Sequence, residues 1–443
     1  MPTPRARSCC LVLLGVLATV AWGGGGRHGS AAPVAQDCCA EQGARVSARH
    51  RVAAITTRRF TQAALWSAIE PSLRSSALRV TTFGLSVHGL PLRAVTFGSG
   101  PVTVLLWSQM HGDESTATMA LADVLSWFAA SANASANDRD ALRDTMAERL
   151  TVVMVPMLNP DGAELFQREN AIGIDINRDA RRLATPEARA LKALRDSIKP
   201  AYGFNLHDQN ARTIGRQTMQ RVGIALLAPA AEAEGQYGPT RATARLVASR
   251  IRSVLETVIP GRIARYDDAF NARAFGDLFQ LWGTSTVLIE SGALPDDPEK
   301  QRLRDVNVIA ILTALEAIAT DGHRSADPAV YESLPVNDRS AVDVLIVGAT
   351  LVVPGQPSIR ADIAINYDDP LRQGRARVRE VGDLSDVVAF DTVSATGLYL
   401  HAAPAMLTSQ GNGHWLRLGA TVELTIRKGM DATSEVVRTF GGR

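Results

Sequence analysis

The chain has 443 residues, 46% of them hydrophobic and 21% charged, with a formal net charge of +2. That is the composition of an ordinary globular protein, long enough for one large domain and a smaller one. With near-neutral charge and no long basic run there is no electrostatic footprint for nucleic acid, so no nucleic-acid partner is expected.

Residues 1–23 read as a signal peptide. Arg5 and Arg7 precede the apolar stretch Cys9–Trp22, and Ala21-Trp22-Gly23 offers a small-x-small cleavage site. The stretch is shorter than the roughly 20 residues a spanning helix needs, and no other segment is long and apolar enough to span. The expectation is an extracytoplasmic protein, periplasmic or secreted, with no membrane contact beyond this segment. Residues 24–50 open on a Gly-, Ala- and Pro-rich run and are expected to be flexible. The cysteines lie at positions 9, 10, 38 and 39, so the folded body offers neither a thiol nucleophile nor a Cys-based zinc site.

From residue 51 helical and strand patterns alternate. Ala53–Ala77 reads as helix-bearing, and Leu78–Phe97 as strands with a Gly-Leu-Pro turn at 89–91. Val102-Thr103-Val104-Leu105-Leu106-Trp107 is a buried strand. It hands over to a helix whose Ala117, Ala120, Leu121, Val124, Leu125 and Phe128 recur at three- and four-residue spacing. His111 and Glu114 fall at the hand-over, about one helical turn apart, so both can face one spot above the strand's carboxyl end. Leu150–Met157 is a further buried strand, closed by the turn signal Asn159-Pro160-Asp161-Gly162. A polar stretch, residues 168–179, precedes a helix opened by Thr185-Pro186-Glu187. Ala201–Asp208 and Thr284–Glu290 are short strands ending in His207 and Glu290. Helices over Thr240–Val258 and Gln301–Ala319 complete the pattern. Strands alternating with helices imply a largely parallel sheet covered on both faces.

After about residue 325 short strands with Gly, Pro and Asp turns take over, at Val342–Val353, Ile359–Ile365, Val387–Val393 and Thr421–Ile426. The expected division is an α/β domain over 51–325 and a β-rich accessory domain over 335–443. Parts of the latter resemble the β-sandwich that flanks the barrel of amidohydrolases. It has no His-x-His pair and no room for a barrel, so it is read as structural or binding.

Three strand ends thus offer His111 with Glu114, then His207, then Glu290. Two imidazoles and a carboxylate are a catalytic zinc set that leaves one position open. A separate carboxylate can act as general base. Arg168 and Arg178 add permanently charged forks suited to an oxyanion and a carboxylate. Each residue also has a plainer reading: His207 as a buried hydrogen-bonded histidine, Glu290 as an ion-pair partner, Arg168 as a loop charge.

Taken together, His111-Gly112-Asp113-Glu114, Asn159-Pro160-Asp161-Gly162, the run Arg168-x-Asn170-x-x-Gly173-x-Asp175-x-Asn177-Arg178, strand-terminal His207 and Glu290 resemble the zinc metallocarboxypeptidases, the family of carboxypeptidase A. The resemblance spans about residues 55–320. It implies an α/β fold with a mixed, mostly parallel eight-stranded sheet and helices on both faces. It implies one zinc per chain, held by His111, Glu114 and His207, with Glu290 and Arg168 catalytic. Asn177 and Arg178 would hold the free C-terminal carboxylate of a peptide substrate. Tyr266 is the nearest candidate for the substrate-capping tyrosine, and the pattern around it matches poorly. The specificity pocket would fall near Phe270–Leu281, where Asp277 could favour a basic terminal residue or be structural. The alternatives are a related zinc amidase or deacylase and a zinc-binding, non-catalytic protein. The sequence leaves the oligomeric state open.

Overall fold

The computed structural model describes residues 32–130, 140–231, 238–267, 269–411 and 413–441. The signal peptide assigned to 1–23 lies outside them. The chain forms two compact units. The described parts of 32–209, 223–294 and 299–336 make the first, and 210–222, 295–298 and 337–441 the second. This differs from a single cut near 325–335, because two internal segments group with the C-terminal residues.

The first unit is built on an eight-stranded sheet. In chain order its strands are β1 (Leu78–Leu85), β2 (Pro91–Phe97), β3 (Val102–Ser108), β4 (Leu150–Val155), β5 (Tyr202–Asp208), β6 (Ile224–Leu227), β7 (Ile263–Arg265) and β8 (Ser285–Ser291). Their order across the sheet is β1-β2-β4-β3-β5-β8-β6-β7. The four central strands are mutually parallel; β2 against β4 and β6 against β8 are antiparallel.

Both faces are covered, and the strands read accordingly. Val104 and Leu106 of β3 join the core beneath α3 (Thr116–Ala129), α7 (Pro239–Val258) and α9 (Gln301–Ala319). Leu105 and Trp107 point the other way, onto Ala188 and Leu191 of α6 (Pro186–Ile198) and Phe275 and Phe279 of α8 (Phe275–Leu281). Successive residues of a strand face opposite sides, so a strand buried on both faces is an unbroken apolar run. A buried ion pair joins α3 to α9. Arg304 Nε donates to Asp123 Oδ2 at 2.7 Å, and both side chains are fully buried. Asp123 Oδ1 also accepts from Val52 N at 2.7 Å, and Arg304 Nη1 donates to Ile55 O at 2.7 Å, which fixes the 52–55 segment.

The N-terminal part departs from expectation. Ala32–His50, assigned to a flexible segment, form a helix, α1. Val46 is buried in the main core, with Cys39 and Ala40 packed beside it. The Gly- and Pro-rich run that suggested flexibility ends before these apolar residues begin. The next helix is shorter than the 53–77 segment. It is α2 (Gln62–Leu73), begun where Thr61 accepts a hydrogen bond from Ala64 N at 3.1 Å. Helices α4 (Ala141–Arg149) and α5 (Pro160–Leu165) and strands β6 and β7 were not anticipated.

In the second unit six strands lie in the order β11-β10-β9-β13-β16-β17. They are β9 (Val342–Val352), β10 (Ile359–Tyr367), β11 (Ala376–Gly382), β13 (Tyr399–Ala402), β16 (Leu424–Arg427) and β17 (Val436–Phe440). β12 (Ala389–Ser394) also pairs with β9, making seven, and β14 (Leu407–Gln410) with β15 (Gly413–Leu416) forms a separate hairpin. Ile346, Ile363, Leu400 and Leu424 form its own buried core. The β-rich character anticipated for this region is present, as one large sheet, a hairpin and a two-residue pairing of Asn337-Asp338 with Ile214-Gly215. No helix of the described residues is long and apolar enough to cross a membrane.

Candidate metal centre

β3 ends at Ser108, and α3 begins only at Thr116. Gln109 adopts a left-handed conformation (φ 50°), and its Nε2 donates to Gly112 O at 2.8 Å. Glu114 N donates to His111 O at 3.1 Å. His111 and Glu114 are therefore held by a tight turn short of the helix, rather than by a helical turn.

Close packing explains two short motifs. A Cβ on Gly112 would lie 2.0 Å from the backbone carbon of Gly162, the last residue of Asn159-Pro160-Asp161-Gly162. Asn159 caps α5, accepting from Gly162 N at 2.9 Å, and its Nδ2 donates to Glu169 O at 3.2 Å. It thereby anchors the loop that carries Arg168.

His111, Glu114 and His207 converge. One ligand atom from each lies within 4.8 Å of the others, and all three residues are buried. Glu114 Oε1 is 2.8 Å from His111 Nδ1, and Glu114 Oε2 is 2.7 Å from His207 Nδ1. The two Nδ1 atoms are 3.1 Å apart. Ligand atoms around a tetrahedral zinc at 2.0–2.1 Å stand about 3.3 Å from one another, so a His–Glu–His set at these separations fits the ion. The second nitrogen of His111, Nε2, contacts Asp175 Oδ1 at 3.0 Å. A carboxylate there fixes the ring so that Nδ1 faces the other two donors. Asp208 N donates to Glu114 Oε2 at 3.1 Å.

Arg168 joins this cluster. Its Nε and Nη2 donate to Asp175 Oδ2 at 3.1 and 2.9 Å, and its Nη1 donates to Glu114 Oε1 at 3.2 Å. The charges are mutually supporting. Burial opposes charge on His111, but the Glu114 and Asp175 carboxylates outweigh it and hold its pKa up to about 9. Burial likewise works against ionised Glu114, yet the two imidazoles keep its carboxyl well below the usual range. Burial dominates at His207, whose pKa is lowered.

Glu290 is the penultimate residue of β8, buried, and directly across from His207 in the β5–β8 register. Asn177 is half-buried, and its Oδ1 accepts from Phe275 N at 2.9 Å, tying the 176–178 turn to the start of α8. Arg178 is exposed, with Nη1 donating to Asn177 O at 2.8 Å. Asp277 is buried in the first turn of α8. It accepts from Asn271 N at 3.1 Å and feels the charge of Arg178. Tyr266 follows edge strand β7, two strands beyond the one that carries Glu290, and its N donates to Leu226 O at 3.0 Å.

Asp175 and Asn159 were visible in the sequence only as members of motifs. Their fixed place in those motifs was the available signal. The contacts that give them a role join residues 64 and 10 positions away in the chain.

A family model described as zinc carboxypeptidase matches residues 71–210. That span contains His111, Glu114, Arg168, Asn177, Arg178 and His207, and ends before Tyr266 and Glu290. The chain is 28% identical over 160 residues to a probable carboxypeptidase 2 of Arthroderma benhamiae, covering 36% of this chain and 29% of that protein. It is 28% identical over 111 residues to carboxypeptidase SOL1 of Arabidopsis thaliana, covering 24% of this chain and 22% of that one. The matches thus span less than a third of these relatives' length. Among solved structures, a metallo-carboxypeptidase from Burkholderia cenocepacia superposes with a TM-score of 0.47 at 17% identity, over 60% of this chain and 70% of that one. Over residues 71–210 the chain is thus similar to the zinc carboxypeptidases, and over about a third of its length to curated carboxypeptidases.

Proposed function

We propose that this protein is a zinc-dependent carboxypeptidase that removes residues from the C-terminus of peptides outside the cytoplasm. The observation that carries the reading is the meeting of His111, Glu114 and His207 beside Arg168, with Glu290 across from His207 on the adjacent strand. A pure binding site would not need that last carboxylate. The extracytoplasmic location rests on the basic and apolar N-terminal residues alone.

His111, Glu114 and His207 would hold one zinc ion per chain, which supplies a Lewis acid and acidifies a bound water. Glu290 takes a proton from the attacking water and passes it to the leaving amine. The Arg168 guanidinium donates to the oxyanion that develops on the scissile carbonyl; its planar fork is already oriented by Asp175. Arg178 pairs with the terminal carboxylate of the substrate beside Asn177, whose side chain is committed to Phe275 N. Tyr266 is assigned the capping role on its position in the chain only.

The test uses purified full chain carrying one equivalent of zinc, a mixed peptide library read by mass spectrometry, and a Glu290→Gln variant. Stepwise loss of C-terminal residues is expected, abolished by a chelator and by the variant, which should keep its zinc. Zinc binding without release of any terminal residue would overturn the peptidase reading. Release of an acyl group from acylated amino acids instead would identify an amidase or deacylase.

A further inference from the structure

Lys300 is 4% exposed, an unusual position for an ammonium group. Its Nζ donates to Asp208 Oδ2 at 2.9 Å and to Ser291 O at 3.4 Å. Asp208 directly follows His207, and Ser291 directly follows Glu290. One buried charge therefore ties together the ends of the two strands that carry a metal ligand and the candidate base. Asp208 Oδ2 also accepts from Thr116 Oγ1 at 2.6 Å, on the first residue of α3. The backbone N–H of Asp208 is the donor to Glu114 Oε2. Lys300 itself sits in a left-handed conformation (φ 53°) immediately before α9, and its O accepts from Arg304 N at 2.8 Å. Its backbone is thus fixed by the helix that packs under the sheet.

We infer that Lys300 is a positioning residue for the metal centre. By clamping Asp208 and Ser291 it fastens the ends of the two strands whose register sets His207 beside Glu290, and it holds the Asp208 N–H on Glu114 so that one carboxylate oxygen is oriented before an ion arrives. The inference rests on the zinc-peptidase reading for the role of Glu290, but the part that concerns His207 and Glu114 is independent of it. An ammonium suits the task because its three donors can serve an anionic side chain and a backbone carbonyl on different strands.

The test compares the full-chain protein with Lys300→Met and with Lys300→Met/Asp208→Asn. The second variant leaves no uncompensated buried charge. Zinc affinity is read by chelator competition, ligand geometry by the visible spectrum of the cobalt(II)-loaded protein, and folding by thermal melting. Loss of a group bonded directly to a metal ligand weakens metal binding roughly 10- to 100-fold, and Lys300 acts one bond further out, through Asp208. The double variant is expected to melt near the parent and yet to bind zinc more weakly, by up to about tenfold, with an altered cobalt spectrum. Where peptides are turned over, kcat should fall with KM little changed. Parent-like zinc affinity and cobalt spectrum in the double variant would overturn the inference, leaving Lys300 only a charge partner of Asp208. Absence of peptide turnover in the parent would refute the peptidase reading and leave the metal-affinity result to be judged by itself.

Discussion

Asp277 makes the sharpest prediction about pH. Its carboxyl is buried, and burial pushes its pKa up to about 6 from the usual 3.8, against the bond from Asn271 N and the charges of Arg178 and Arg241. A raised carboxyl pKa means that the folded state keeps its proton longer than the unfolded chain. Between about pH 4 and pH 6 the folded state therefore binds more protons, and stability falls as pH rises through that window. Above it the full cost of an ionised, poorly solvated carboxylate is present. About two pKa units at 1.36 kcal/mol each make this roughly 3 kcal/mol as an upper value. Asp277→Asn removes the charge and keeps an oxygen to accept from Asn271 N. The variant should unfold in urea at higher free energy than the parent at pH 7.5, by about 2–3 kcal/mol, and match it at pH 4. Tryptophan fluorescence can follow the transition, because Trp282 immediately follows α8 and packs against Phe275. An equal stabilisation at both pH values would refute the argument, since the effect would then not be titration. A variant destabilised at pH 7.5 would show that Arg178 holds the ionised carboxylate more strongly than burial opposes it.

Other outcomes follow from the same contacts. Arg304→Met leaves the fully buried Asp123 carboxylate without its guanidinium, and should cost about 3–5 kcal/mol, seen as a large fall in Tm. Gly112→Ala places a methyl 2.0 Å from the Gly162 backbone, so soluble protein should carry well under one equivalent of zinc by elemental analysis. Arg168→Lys loses the two-pronged contact with Asp175; kcat should fall about 100-fold with a smaller change in KM, measured on one peptide by steady-state kinetics. Removing the metal with a chelator should lower Tm, and zinc at about 1,000 times its Kd should restore about 4 kcal/mol.

How much of this was legible depended on whether the signal was local. β3 was readable because a strand buried on both faces is an apolar run, and the ensuing spacing of Ala117, Ala120, Leu121 and Val124 is helical over several turns. β6 and β7 have four and three residues, too few for any period to register. α1 was hidden by the Gly-rich run before it, although Val46 proves to be core. His111, Glu114, His207 and Glu290 could be picked out because each stands at the polar end of an apolar strand. Asp175 could not be given its role, because its bond to His111 exists only after the 168–178 loop folds back over the turn. The Lys300–Asp208 pair spans 92 residues and involves a lysine at a helix start, where the sequence suggests nothing but a solvated charge.

What assembles the centre is strand register. His111 and His207 are 96 residues apart in the chain, and neither local turn could bring them together. They meet because β5 lies beside β3, with Leu206 against Ser108, and Glu290 is placed by β8 lying beside β5, with Glu290 against His207. In β5 and β8 the residues at Phe204, Leu206, Val287 and Ile289 all face the main core. Asn205, His207, Leu288 and Glu290 alternate with them and face the other way. A slip of one residue between these strands would turn every core side chain to the wrong face, so burial of four large apolar groups enforces the one register that brings His207 and Glu290 together. The apolar residues of β5 and β8 thus act on the chemistry without touching it. Exchanging Ile289 for a polar residue should disturb Glu290 as surely as it disturbs the core.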